Sequence, residues 1–348
     1  MKTYLRPLGL VFGADARAQI TAGEAGALGG MAHIAFTQVE VVRRNGQKVT
    51  RYVSQYAQAK DLPQVRAITA VRPAFAGLPL NSCRIMGVVN VTPDSFSDGG
   101  RLKDTEAAVA HGRELAEGGA DILDVGGEST RPGSDEVSAG EELRRIIPVI
   151  EGLASSHLVS ADTRKANVME AALRAGAKII NDVSGLGHDP HSAAVLANAR
   201  APVVLMHALG EPKTMQLNPH YDDVLLDVYD ALEEKITLAE RVGIQRTNIC
   251  IDPGIGFGKT FKHNLELLAG LTMFHGLGVA LLVGLSRKGF VGAVTGENVA
   301  AKRISGSVGG ALHAAMMGAH ILRVHDVVET RQALQLFTAS ADPDSVEF

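Results

Sequence analysis

From Cys83 onward, short apolar runs rich in β-branched residues alternate with longer stretches of helical composition. The first of these runs is IMGVVN, Ile85 to Asn90, which has the character of a strand buried on both faces. At Asn90 it gives way to Thr, Pro, Asp, Ser and Gly, so a strand runs into a polar loop that ends at Gly100. Counted with period two, Met86, Val88 and Asn90 share one face, and the last inward position carries a carboxamide where packing alone favours an aliphatic. Further strands are predicted at DILDV, HLVSAD, KIINDV, PVVLMH, NICID, VALLVGLS and ILRVH. A helix is predicted from Asp104 to Glu117, stopped by Gly118-Gly119, and a second is opened by Ser138 with Glu141 as a capping box. Leu225, Val228, Leu232, Ile236 and Ala239 form the apolar stripe of another. Eight strands alternating with helices fit a (β/α)8 TIM barrel over residues 83–341. A doubly wound open sheet is the structural competitor, and no strand leads into the GxGxxG opening of its dinucleotide-binding version.

Residues 1–82 have a different texture. AFTQVEVVRRNGQKVTRYVSQYA reads as two alternating, half-solvated strands joined at Asn45-Gly46, a β-hairpin in an N-terminal extension. VRPAFAGLPL, with two prolines, reads as a linker ending near Leu80. No chemistry is assigned to this segment.

Composition narrows the partners. With 348 residues and 46% hydrophobic content the chain buries a large core. No apolar run reaches 18 residues and the N-terminus has no signal-type segment, which points to a cytoplasmic protein with no membrane partner. Cys83 and Cys250 lie beside apolar runs without metal-type spacing and read as buried thiols. A net charge of −4 and 4% aromatic residues give no footprint for nucleic acid. A small-molecule ligand fits better.

The polar residues fall where the strands end: Asn90, Glu128 to Arg131, Asp162, Asn181, Met206-His207, Asp252, Ser286 to Lys288, and Arg323 with His325. That is the catalytic rim of a barrel. Arg323 and His325 are two apart on one strand, so they face inward together while Leu322 and Val324 face the helices. They suit a phosphate-type anion, with Asn90 as a neutral oxygen ligand to an accompanying Mg2+; a structural ion pair from Arg323 to a rim carboxylate is the other reading. Asp162, Asn181 and Asp252 suit a flat heterocycle bearing amino, ring N–H and carbonyl groups.

The motifs NVTPDSFSDGG, GGESTRPGS, DTRKANV, IINDVSG, LMHALGEPKTMQ, IDPGIGFGK, GLSRKG and ILRVHDV together resemble the dihydropteroate synthase family, in order, from residue 83 to about 335. The resemblance implies a homodimeric TIM barrel that condenses p-aminobenzoate with 6-hydroxymethyl-7,8-dihydropterin pyrophosphate, releases pyrophosphate and is inhibited by sulfonamides. It implies that Asp162, Asn181, Asp252 and Lys288 hold the pterin, with Met206 packed on its ring. Asn90, Arg323 and His325 then hold the pyrophosphate with Mg2+. Loops carrying Pro93, Phe96, Asp98, Thr130, Arg131 and Pro132 close over a p-aminobenzoate pocket beside Phe257, Ser286 and Lys288. In the catalytic step, Asp98 and Asp252 stabilise positive charge on the pterin methylene, while Lys288 and Arg323 act as cationic donors. Ile255 departs from the family's usual aromatic at that position, so stacking in the pocket is expected to differ there. Two alternatives remain at this level: a corrinoid-dependent methyltransferase with the same pterin floor, and a non-catalytic relative that uses residues 1–82 for a partner.

Overall fold

A computed structural model of the chain describes residues 1–91, 101–129, 134–210 and 213–345, with the backbone alone at 101–103 and 345. Four strands come first: β1 (Lys2–Phe12), β2 (Gly26–Leu28), β3 (Met31–Asn45) and β4 (Lys48–Gln55). Eight more alternate with helices: β5 (Arg84–Asn90), β6 (Ile122–Gly126), β7 (Val159–Asp162), β8 (Ile179–Asp182), β9 (Val203–Met206), β10 (Ile249–Asp252), β11 (Ala280–Gly284) and β12 (Ile321–Val324). These eight pair in parallel, and β12 closes on β5, so the sheet is a closed TIM barrel without free edges.

Period-two alternation sorts the barrel residues into two cores. Ile85, Val89, Leu123, Val125, Leu322 and Val324 face the surrounding helices, while Met86, Ile122, Ile179, Val204, Cys250, Leu282 and Ile321 meet along the axis. The apolar stripe from Leu225 to Ala239 is buried as expected in the helix Val224–Arg241. Ser138 caps its helix by accepting from Glu141 N at 3.3 Å, but the Glu141 carboxylate goes to Arg144 and Arg145 rather than back to the cap.

The N-terminal segment is more than a hairpin. β3 pairs antiparallel with β1 on one side and with β2 and β4 on the other. The hairpin is present, with Asn45 paired to Lys48, so Gly46 and Gln47 form its two-residue turn. Neither β1 nor β2 was legible in the sequence; Pro7 interrupts the first, and the second is only three residues long. Leu5, Leu28, Met31, Phe36, Val39, Val65 and Ile68 build a local core. Tyr4 and Val42 instead join the core between barrel and helices. Tyr4 packs edge-on against Tyr229 at 5.3 Å and donates to Asp230 at 2.9 Å. Further along, Thr272 Oγ1 donates to Pro7 O at 2.9 Å and Phe12 meets Phe337 edge-on at 5.3 Å. The sheet therefore lies along the outside of the barrel.

VRPAFAGLPL, expected to be a linker, is the floor of the barrel. Phe75 and Leu80 are buried in the axial core with Met86, Ile122 and Ile321. A tight turn sets them there: Phe75 and Leu78 exchange backbone hydrogen bonds of 2.9 Å, with Ala76 and Gly77 both left-handed. Before it, the buried Arg72 guanidinium donates to four carbonyls, those of Ala67, Ala70, His275 and Val279, at 2.9–3.1 Å. Prolines limit the segment's secondary structure, not its burial.

Candidate active site

Inner-face polar residues at the C-terminal strand ends converge through one carboxylate. Asp124 on β6 has no exposed surface, and its Oδ2 accepts from Asn181 Nδ2 of β8 at 3.0 Å and from Arg323 Nε of β12 at 2.6 Å. Arg323 Nη2 donates to Asp162 Oδ2 of β7 at 2.8 Å. Four strands are thus tied together across the barrel mouth. Asp124 Oδ1 is buried with no hydrogen-bond partner among the described residues. Asp124 was not singled out in the sequence, although the signal was there: a carboxylate inside the apolar run ILDV, in phase with Ile122. Asn181 has its amide orientation set by the same contact. One N–H of its NH2 is used on Asp124, which leaves the carboxamide oxygen and the second N–H to face elsewhere.

The charges respond to this packing. Burial works against the charge on Arg323, but the Asp124 and Asp162 carboxylates outweigh it and hold the guanidinium above its ordinary range. Burial pushes the Asp162 carboxyl up to about 7, with Arg323 opposing and Asp124 reinforcing the shift. The ion pair left open in the sequence reading is therefore present. It engages Nε and Nη2.

The loop after β10 supplies the opposite wall. Asp252 Oδ1 accepts from Gly254 N at 2.7 Å, and burial raises its carboxyl while nearby Lys288 opposes. Gly254 and Gly258 are obligatory here: both are left-handed, and a Cβ would stand 1.8 Å from His207 O and 2.3 Å from Leu209 O respectively. Lys288 Nζ donates to Ile255 O and lies 4.6 Å from the Phe257 ring centre. Burial brings its ammonium down to about 8, Asp252 opposing. The Ile255 side chain is fully buried in the core between barrel and helices. Its replacement of an aromatic therefore changes that core rather than the pocket wall. Lys259, unremarked in the sequence, is buried and binds His207 Nδ1 at 2.9 Å and Phe257 O at 2.9 Å, locking this loop to the end of β9. Met206 is buried at that strand end, level with Asp252.

On β12's flank Ser286 Oγ stands 3.2 Å from His325 N, which donates to it, and 3.0 Å from His325 Nδ1, so the imidazole is oriented by the neighbouring strand's loop. Asn90 is half-buried at the end of β5. Pro93, Phe96, Asp98, Thr130, Arg131 and Pro132 lie outside the described residues. Glu128 accepts from Val137 N at 2.9 Å and pairs with Lys165 at 2.9 Å and Arg164 at 3.3 Å. Burial alone would raise Glu128, but these cations and the Val137 N–H outweigh it and hold it below the usual carboxylate range. An open groove of about 570 Å3 lies against this cluster, lined by Lys165 and Val137 with Glu136, Ser138, Asn167 and His188. It contains none of the converging strand-end carboxylates, and the chemistry sits at the barrel mouth instead.

Residues 86–325 match the family described as pterin binding enzyme. The Escherichia coli K12 dihydropteroate synthase is 47% identical over 265 residues, 76% of this chain and 93% of that protein. A Haloferax volcanii protein described as a probable bifunctional folylpolyglutamate synthase/dihydropteroate synthase is 49% identical over 76% of this chain, which spans only 31% of that longer protein. Among solved structures, the Xanthomonas albilineans dihydropteroate synthase with 4-aminobenzoic acid superposes with a TM-score of 0.74 at 50% identity, covering 80% of this chain and 100% of the other. The Yersinia pestis dihydropteroate synthase in complex with a sulfonamide drug superposes with a TM-score of 0.71 at 44% identity, covering 76% and 96%. With its closed barrel and the polar set at the strand ends, the chain belongs to the pterin binding enzyme family, among the dihydropteroate synthases.

Proposed function

We propose that this protein condenses p-aminobenzoate with 6-hydroxymethyl-7,8-dihydropterin pyrophosphate, giving 7,8-dihydropteroate and pyrophosphate, a transferase step of folate biosynthesis. The observation that carries the reading is the set of buried Asp162, Asn181 and Asp252 with half-buried Lys288 inside the family match. A pterin presents amino and ring N–H donors beside a carbonyl, and this set offers two carboxylates and an amide oxygen beside one ammonium. Met206 supplies an apolar surface for the ring.

The chemistry separates charge. As the C–O bond to pyrophosphate lengthens, negative charge grows on the leaving group and positive charge on the pterin methylene. Arg323 and His325 serve the anion, while Asp252, with Asp98 from the loop after β5, serves the cation. The arylamine of p-aminobenzoate attacks as a neutral nucleophile, so no strong base is required. Phe257, Ser286 and Lys288 line its pocket, completed by Phe96, Thr130, Arg131 and Pro132. Sulfonamides, which share the aryl amine, compete there.

Mg2+ is part of the proposal. No group of three His, Cys, Asp or Glu side chains able to cage a metal occurs among the described residues, whereas Asn90 offers one neutral oxygen. That donor set suits a Mg2+ ion held chiefly by pyrophosphate and water. When bound, it would neutralise charge on the leaving group.

A homodimer is supported by exposed apolar side chains on three barrel helices: Phe261 and Leu265 on Phe261–Ala269, Val294 on Gly289–Thr295, and Val328 and Leu336 on Val327–Ala341. Residues 1–82 are read as an addition to a barrel unit of residues 83–341, an addition whose Phe75 and Leu80 close the barrel floor. No helix among the described residues is long and apolar enough to cross a membrane. A cytoplasmic site of action completes the reading. Release of pyrophosphate from the dihydropterin substrate, strictly dependent on p-aminobenzoate, is the test. Pyrophosphate release without p-aminobenzoate, or none with it, overturns the assignment.

A further inference from the structure

The tip of the N-terminal hairpin reaches the start of the helix Val224–Arg241, which follows the loop after β9. Arg44 Nη1 donates to Asp227 Oδ1 at 2.5 Å, Arg51 Nη2 to Asp223 Oδ2 at 2.5 Å, and Gln47 Nε2 to Asp222 Oδ2 at 3.3 Å. The carboxylates they hold are the ones that shape this helix start. Asp227 Oδ2 accepts from Asp222 N and Asp223 N at 2.9 and 3.2 Å, and Asp223 Oδ1 caps Leu226 N at 3.2 Å. The next residue toward the site is Tyr221. Its hydroxyl donates to Gly258 O at 2.7 Å, and its ring packs edge-on against His263 at 5.1 Å. Gln216 Nε2 donates to Gly256 O at 2.7 Å. Gly256 and Gly258 flank Phe257, the residue that packs against Lys288.

We propose that the hairpin of β3 and β4 is a positioning arm for the p-aminobenzoate side of the active site, acting through Asp223, Asp227 and Tyr221 on the Gly256–Gly258 loop. The hairpin lies outside the family match, so this support belongs to the extension. Contact is continuous from Arg44 and Arg51 to Phe257, the physical route that coupling between distant groups requires. Partly exposed ion pairs add little to global stability one at a time. Three polar contacts converging on one helix turn do something else: they fix where Tyr221 stands, and so where the glycine-rich loop stands. The loop needs outside support because three of its residues, Gly254, Gly256 and Gly258, hold left-handed backbone and lack side chains of their own to pack.

The proposal rests on the assignment of Phe257 and Lys288 to the p-aminobenzoate pocket. Its test is the full-length double variant Arg44→Met/Arg51→Met, compared with Tyr221→Phe and with the triple variant. The expected result is a five- to twentyfold rise in KM for p-aminobenzoate with kcat within twofold, and the same loss in Tyr221→Phe. The triple variant should show no further loss. Amide exchange in residues 213–223 and 254–259 should accelerate together in the double variant. An unchanged KM, or losses that simply multiply in the triple variant, overturns the proposal and makes the hairpin contacts structural only. Should the double variant fail to fold, Arg51→Met alone serves, its side chain being 37% exposed. If wild-type protein lacks the condensation activity, the functional reading falls separately. The arm is then judged by exchange alone, and unaltered exchange at 254–259 overturns it.

Discussion

Asn181 and Arg323, on strands facing each other across the barrel, donate to the same oxygen of Asp124. One carboxylate therefore sets both the amide orientation of Asn181 and the position of the Arg323 guanidinium, the groups proposed above for the pterin and the pyrophosphate. Asp124→Asn keeps the shape but places an NH2 or a neutral oxygen against two donors. It should lower kcat/KM by about 2–4 kcal/mol, since two preorganised groups lose their anchor. Steady-state kinetics with both substrates varied is the measurement. A loss confined to stability, with kinetics preserved in the folded fraction, would show that Asp124 only holds the barrel together.

Arg323→Ala should cost about 2–4 kcal/mol in kcat/KM, as for removal of a donor to a developing anion. It should also lower the melting temperature, because Asp124 and Asp162 are left as buried carboxylates without their shared cation. Arg323→Lys separates the two effects. An ammonium neutralises the pair but lacks the planar fork that spans Asp124 and Asp162, so stability should recover more than turnover does. Equal recovery of both would argue that charge alone matters at this position.

Binding of a pterin analogue should have a bell-shaped pH profile. Asp162, raised to about 7 by burial, must ionise to accept the ring donors, so affinity climbs through that pH. Lys288, lowered to about 8 by burial, loses its ammonium above that value, so affinity then falls. Stability runs the other way on the acid side. A folded-state value above the ordinary 3.8 means that Asp162 favours folding below pH 4, and that this contribution is lost as pH rises through about 7. For Lys288, lowered from 10.5, the cost of charge in the fold is present below pH 8 and recedes above it. Calorimetric titration of Asp162→Asn should lose the acid limb and keep the alkaline one. Persistence of the acid limb would assign it to another group.

Phe75→Ala should destabilise the protein by about 3–5 kcal/mol, the range for a buried phenylalanine whose removal leaves a cavity. Deleting residues 1–80 should go further and yield no soluble barrel. It takes away Phe75, Leu80, the carbonyl clamp of Arg72 and the packing of Tyr4 on Tyr229. Urea unfolding of the point variant and soluble yield of the deletion check this. A folded, active deletion product would make the floor dispensable.

All eight barrel strands, the inward and outward faces of the first and the last, and the family were legible from periodicity and motif order. Val, Ile and Leu runs bounded by polar turns admit few other readings. What escaped notice shared one trait: its meaning depended on residues far away. Asp124 is one polar residue in a strand, and only β8 and β12 disclose its partners. Phe75 and Leu80 follow no helical or strand period because an irregular turn places them. β1 is paired only with β3, some 30 residues later, and its central proline masks the alternation. Ile255 looked like a pocket substitution because its neighbours are pocket residues, yet its side chain points into the helix layer.

The docking of the N-terminal sheet also orders events on the ribosome. The sheet leaves the tunnel first, but the helix it leans on begins at Val224 and Phe337 comes later still. At about 5–20 residues per second, roughly 10–30 s separate the end of β4 from the start of that helix. During this interval the sheet depends on its own cluster of Leu28, Met31, Phe36 and Ile68. Its outer strand β4 exposes Tyr52 and Val53 beside Lys48 and Arg51, charges that discourage pairing with another nascent chain. Arg51 thus serves twice: as a guard on a bare strand edge during synthesis, and as the partner of Asp223 once the barrel has closed.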